Sequence, residues 1–95
     1  MRDYELMLVL RPDLDDDAVR AVVDRVKGLI AGRGGEVLAE DVRGRRRLAY
    51  EIRHFREGID VLFRLRLSPQ SADELERSLR LTEQVIRHLL VRLEG

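Results

Sequence analysis

The run Arg43-Gly44-Arg45-Arg46-Arg47 places four guanidinium groups in five consecutive residues. A guanidinium is planar, always charged and forked, so it binds phosphate oxygens through paired hydrogen bonds. The chemistry this run offers is therefore contact with a phosphate backbone. It also suits a plainer task, since charge on an edge strand keeps that strand from pairing with another chain. No acid and no lysine interrupts the run, which favours phosphate. Catalytic or metal-binding sets do not assemble beside it. The two histidines, His54 and His88, match no ligand or triad spacing. His88 falls on an apolar strand and reads as a packing or edge residue, and His54 reads as a solvated turn residue. Asp15, Asp16 and Asp17 stand just before a helical stripe and lack EF-hand spacing, so they read as a helix cap rather than a metal site. Gly32, Gly34 and Gly35 follow a helix, whereas a phosphate-cradling loop precedes one. No cofactor and no catalytic residue is expected.

Charge is unevenly spread. The chain of 95 residues is neutral overall, with 18 basic and 18 acidic side chains. Residues 1–41 carry −4, residues 42–66 carry +5 and residues 67–95 carry −1. One segment is thus suited to nucleic acid while the remainder repels it mildly. Lys27 is the only lysine, and a GC-rich coding sequence accounts for most of that arginine bias. With no cysteine, disulfides and thiolate metal sites are excluded, in keeping with a reducing compartment. The opening Met1-Arg2-Asp3-Tyr4 lacks the apolar stretch of a signal peptide, and no run is long enough to span a membrane, so a cytoplasmic location is expected. The length suits one domain, residues 1–95.

Six elements must position these groups. Tyr4, Leu6, Leu8 and Leu10 alternate along a strand that Arg11-Pro12-Asp13 ends. Val19, Val22, Val23, Val26, Leu29 and Ile30 form one helical stripe, which the glycines at 32, 34 and 35 terminate. Val37 to Ile52 is a long strand, or two collinear ones, bent or bulged at Gly44. His54 to Gly58 is a polar connection. Ile59, Val61, Phe63, Leu65 and Leu67 give a strict period of two. After Ser68-Pro69, Ser71 and Glu74 have capping-box spacing, with Ala72, Leu75 and Leu79 as the buried stripe of a second helix. Val85 to Leu93 closes as a strand, Ile86, His88 and Leu90 on one side and Arg87, Leu89 and Val91 on the other.

The order β-α-β-β-α-β is the ferredoxin-like motif, an α+β class. Right-handed crossovers give an antiparallel sheet of order 4-1-3-2 with both helices on one face. RNA-recognition motifs share that topology, but their third strand stacks aromatics on bases. Here Glu57-Gly58-Ile59-Asp60-Val61-Leu62-Phe63 offers no aromatic pair at those positions, so any RNA contact is to backbone and shape. The alternative is a small ferredoxin-like ligand-binding or regulatory domain, which needs a polar pocket at a strand–helix loop. The loop Arg11 to Leu14 offers little for one. An enzyme of this topology needs convergent His, Asp or Arg groups in a cleft, and none can be assembled.

The run Gly44-Arg45-Arg46-Arg47-Leu48-Ala49-Tyr50-Glu51-Ile52 resembles the G-x-R-x-L-A-Y-P-I signature of bacterial small-subunit ribosomal protein six. Met1-Arg2-Asp3-Tyr4-Glu5, Pro12 and the segment from Val85 to Arg92 are similar to that family as well, so the likeness spans nearly the whole chain. The resemblance implies a non-enzymatic structural constituent of the small subunit. It also implies a heterodimer with ribosomal protein eighteen, the pair binding a junction of small-subunit rRNA in the central domain, or platform. By position it implies phosphate contacts from Arg2, Arg45, Arg46, Arg47 and Arg87, with Tyr4 and Tyr50 at family aromatic positions that also suit packing. Three departures stand out: Glu51 replaces the signature proline, Ile59 and Asp60 replace a pair that is often aromatic, and many members carry a charged tail beyond the position of Gly95.

Overall fold

Period-two apolar patterning commits a strand to burying one face, and two such strands lie side by side here. In a computed structural model, which describes residues 1–93, the elements are β1 (Arg2–Leu10), α1 (Asp16–Ala31), β2 (Glu36–Ile52), β3 (Phe55–Leu67), α2 (Pro69–Arg80) and β4 (Val85–Arg92). The strands form one antiparallel sheet in the order β2-β3-β1-β4, which is the expected 4-1-3-2 read from the opposite edge. In the sheet centre Tyr4 faces Leu65, Leu6 faces Phe63, Leu8 faces Val61 and Leu10 faces Ile59. All eight are buried, packed with Val22, Val23, Val26 and Ile30 of α1 and with Leu75 and Leu79 of α2. Each fully buried side chain of this size contributes about 1.5–3 kcal/mol over leaving it in water. That burial fixes the sheet's register, because a slip of one residue would turn the whole stripe outward. Among the described residues no helix is long and apolar enough to cross a membrane.

The helix ends follow side-chain chemistry. Asp15 caps α1, its Oδ1 accepting from the Ala18 N–H at 2.8 Å, which is the capping role expected of the Asp15–Asp17 cluster. At the other end the left-handed residue is Gly34 (φ 74°), while Gly32 stays right-handed. The cap of α2 differs from the expectation. Ser68, not Ser71, is the N-cap and accepts from the Ser71 N–H at 3.2 Å, with Pro69 in the first turn. Pro69 lacks an N–H and has a helical φ, so the helix starts there, one turn earlier than the S-x-x-E spacing implies. Glu74 is thereby free to take Arg33, at 3.0 Å.

Two strand readings also change. The His54–Gly58 connection is shorter than expected. Arg53 (φ 50°) and His54 (φ 70°) alone make the turn, and β3 already begins at Phe55. Two left-handed residues match the right-handed strand twist, as in a type I′ hairpin. In β4 the register with β1 slips between Val9 and Leu10, so that Leu10 faces Val85 while Val9 faces Arg87. Val85 therefore joins the cluster between sheet and helices, while Ile86, also buried, occupies the bulge.

Candidate nucleic-acid interface

β2 is an edge strand of 17 residues, and its far half outruns the sheet. Gly44 (φ 89°) sits where the β2–β3 register slips, and only glycine takes that angle without strain. Beyond it Arg45 faces Ile59, Arg46 faces Gly58 and Arg47 faces Glu57. Then the ladder lapses. Residues 48–51 on β2 stand against Arg56 alone on β3 before Ile52 meets Phe55. The excess length lets the arm curl over the outer sheet face, where Leu48, Tyr50 and Ile52 enclose a cleft with Met7, Val9, Arg46, Arg87 and Leu89. Gly58 makes this approach possible, because a Cβ there would collide with the Val9 side chain.

Alternation sends the arginines to different tasks. Arg45 turns to the helix side, where its Nε donates to the Pro12 carbonyl and its Nη2 to the Leu14 carbonyl, each at 3.1 Å. It thus clasps the β1–α1 loop, which Arg11 holds from the other side by lying 5.4 Å over the Phe55 ring. Arg46 turns to the outer face and pairs with Asp60. Arg43 pairs with Asp41 at 3.2 Å. Arg47 is exposed and makes no ion pair or side-chain hydrogen bond among the described residues, and the same holds for Arg2. Arg87, on β4, donates from Nη1 to the Tyr50 hydroxyl at 2.6 Å, pinning the arm to the opposite edge of the sheet. In the run that looks free of acid in sequence, Asp41 and Asp60 match two of the four arginines and carbonyls hold a third, so among the described residues its one open member is Arg47.

The two family aromatics part company. Tyr4 is 7% exposed and belongs to the core, whereas Tyr50 is 61% exposed beside Arg87. The outer face between them is mixed. Met7, Val9, Leu62, Leu89 and Val91 make an apolar centre, with Leu89 52% and Val91 44% exposed. Around it Arg66 pairs with Asp3 at 2.8 Å, a contact that holds the Asp3 carboxyl below its ordinary range. On the helix side, His88 Nε2 lies 3.5 Å from Glu76 Oε1 at the β4 edge, as expected of a packing residue. A second groove, of about 360 Å³, runs between α1 and β2. Its lining mixes Asp16 and Glu40 with Arg20 and Arg45, so no single charge dominates it.

The family described as ribosomal protein S6 matches residues 3–92. This chain belongs to that family. A small ribosomal subunit protein bS6 from Moorella thermoacetica is 47% identical over 94 residues, covering 99% of this chain and 96% of the relative. The bS6 of Symbiobacterium thermophilum is 45% identical, covering 97% of each. The crystal structure of 30S ribosomal protein S6 from Thermotoga maritima superposes with a TM-score of 0.91 at 33% identity, over 97% of this chain and 87% of that one. A domain of the MgtC protein from Mycobacterium tuberculosis reaches a TM-score of 0.61 at 14% identity, a likeness of fold alone. Membership makes the protein a component of the small ribosomal subunit, and so of the bacterial cytoplasm. The family is one of ribosomal structural proteins and is not known for enzymatic activity.

Proposed function

We propose that this chain acts as a single non-catalytic domain that holds small-subunit rRNA jointly with ribosomal protein eighteen in the platform. What carries the reading is the division of labour on the surface. The outer sheet face offers an apolar centre with exposed Leu89 and Val91, a surface suited to a protein partner. Among the described residues Arg2 and Arg47 stand unpaired and Arg87 has only a neutral partner, so these three are the members of the sequence-predicted set open to phosphate. Arg45 and Arg46 serve the chain's own structure. The chain is neutral overall, so its own grip on RNA is weak and a partner must supply the rest. Two modules sharing one RNA site gain affinity from each other by the same factor. Filter binding to a central-domain rRNA fragment, with this chain alone, with ribosomal protein eighteen alone and with both, tests the reading. Tight retention only with both is the expected result. Nanomolar binding by this chain alone would contradict it.

A further inference from the structure

We propose that Arg53, Arg80 and Arg87 form a second phosphate-binding cleft, for RNA backbone, at the free edge of β4; the proposal rests on the rRNA-binding reading and adds a place of contact to it. The cleft is open, about 410 Å³, and is lined by Arg53, Arg80, Val85, Ile86, Arg87 and His88. Among the described residues no carboxylate lines it. Arg53 and Arg80 make no ion pair or side-chain hydrogen bond among the described residues, and the sole partner of Arg87 is an uncharged hydroxyl. Other arginines are unpaired too among the described residues, Arg2 and Arg47 included, but the cleft is where three that lack a carboxylate line one cavity. Six others are neutralised within the chain: Arg11, Arg33, Arg43, Arg46, Arg56 and Arg66 each meet a carboxylate.

Three separate elements bring these cations together: the β2–β3 turn, the last residue of α2, and β4. Like charges gather at a cost unless an anion joins them, and nothing among the described residues does so here. Arg53 in addition holds a left-handed backbone (φ 50°), a conformation that disfavours any residue carrying a Cβ. The turn thus keeps a strained arginine where a glycine would relieve it. The apolar floor of Val85 and Ile86 reduces competition from water for whatever sits above them. β4 pairs with β1 only, so its outward N–H groups are available as further donors to phosphate oxygens. A forked guanidinium trio matches the tetrahedral oxygens of a phosphodiester. Arg80 has a plainer alternative role, offsetting the negative end of the α2 dipole, and the test separates the two.

Two measurements decide the matter. The first titrates the chain, labelled at arginine Nε, with a short RNA duplex of arbitrary sequence. Resonances of Arg53, Arg80 and Arg87 should shift together and ahead of the other exposed arginines. Uniform shifts across all of them would overturn the cleft. The second measures rRNA affinity across a salt series with ribosomal protein eighteen present. Arg53→Ala with Arg80→Ala should lower the slope by about 2, at about 0.9 per lost contact. Arg53→Lys with Arg80→Lys should restore most of it, and Arg20→Ala with Arg25→Ala on the exposed side of α1 should leave it unchanged. An unchanged slope with lowered stability in the first pair would reduce Arg80 to a dipole partner and refute the proposal. Loss of binding to ribosomal protein eighteen without RNA would assign the cleft to an acidic segment of that protein, and would refute it equally. Failure of the wild-type pair to bind rRNA would count against the proposed function, while the duplex titration would still decide the cleft.

Discussion

Replacing Arg45 with alanine separates structural from RNA-binding arginines. Its two hydrogen bonds run from a cation to the Pro12 and Leu14 carbonyls, both at 3.1 Å. In a dry site a charged bond contributes about 1.5–3 kcal/mol. Here the side chain is exposed and water replaces each bond in part, so the pair together is worth about 1 kcal/mol. For a chain of 95 residues that lowers Tm by about 4–8 °C. Arg45→Lys keeps the charge but, with one ammonium in place of a fork, should recover only about half the loss. Arg47→Ala should move Tm by no more than about 2–4 °C, because surface changes away from any partner stay within about 0.5 kcal/mol. In the salt series with rRNA and ribosomal protein eighteen the order reverses. Arg47→Ala lowers the slope by about 0.9, and Arg45→Ala leaves it alone. Circular dichroism melting and filter binding on the same preparations read both quantities. An Arg45→Ala variant that melts like the wild type and loses slope would refute the reasoning, since the clasp on the β1–α1 loop would then give way to phosphate in the complex.

Three further outcomes follow from the packing. Leu65 is fully buried on a central strand opposite Tyr4, so Leu65→Ala should cost about 3 kcal/mol and shift the guanidinium midpoint accordingly; an unchanged midpoint would mean that the inner face of β3 is misassigned. His54→Gly removes left-handed strain at φ 70° at some expense in unfolded-chain entropy, and should stabilise by about 0.5–1 kcal/mol, read as a rise in Tm; a fall would show that the imidazole is needed in the turn. Arg66 holds the Asp3 carboxyl below its ordinary value of 3.8, so this pair stabilises the fold above that pH and the contribution fades as pH falls through the lower folded value. Urea midpoints at neutral pH and near pH 3 should therefore differ slightly less in Asp3→Asn than in wild type, and an equal difference would remove the pair from acid stability.

Much of this fold is written locally. Tyr4 to Leu10 and Ile59 to Leu67 state their buried faces residue by residue, and the valines of α1 do the same at helical spacing, because each element must hide one stripe. The departures come where a neighbour decides. Whether Val85 or Ile86 joins the cluster between sheet and helices depends on a slip against β1, a fact about pairing that β4 alone does not contain. Ser68 wins the α2 cap over Ser71 because Pro69 fits the first turn, a signal present in the sequence and outweighed in the reading by the capping-box spacing. The arginine run shows the limit for function. Its cations are adjacent in the chain, but Arg46 meets its acid, Asp60, only through the β2–β3 register. Conversely, Arg53 and Arg80 carry no mark of belonging together, since each stands alone in its own segment and the fold alone brings them to one cleft.

The bond from Arg87 to the Tyr50 hydroxyl also has a consequence for fluctuation. β4 pairs in the sheet with β1 alone, so opening it breaks a single ladder, though it also takes Val85 out of the core, and costs less than opening a central strand. Each time it opens, Arg87 leaves with it, and the arm over the outer face loses its anchor on that edge. The hairpin tip and the last strand, distant in the chain, then open as one cooperative unit. Amide hydrogens around Tyr50 should exchange with the same protection as those around Arg87, and Tyr50→Phe should uncouple the two without unfolding either.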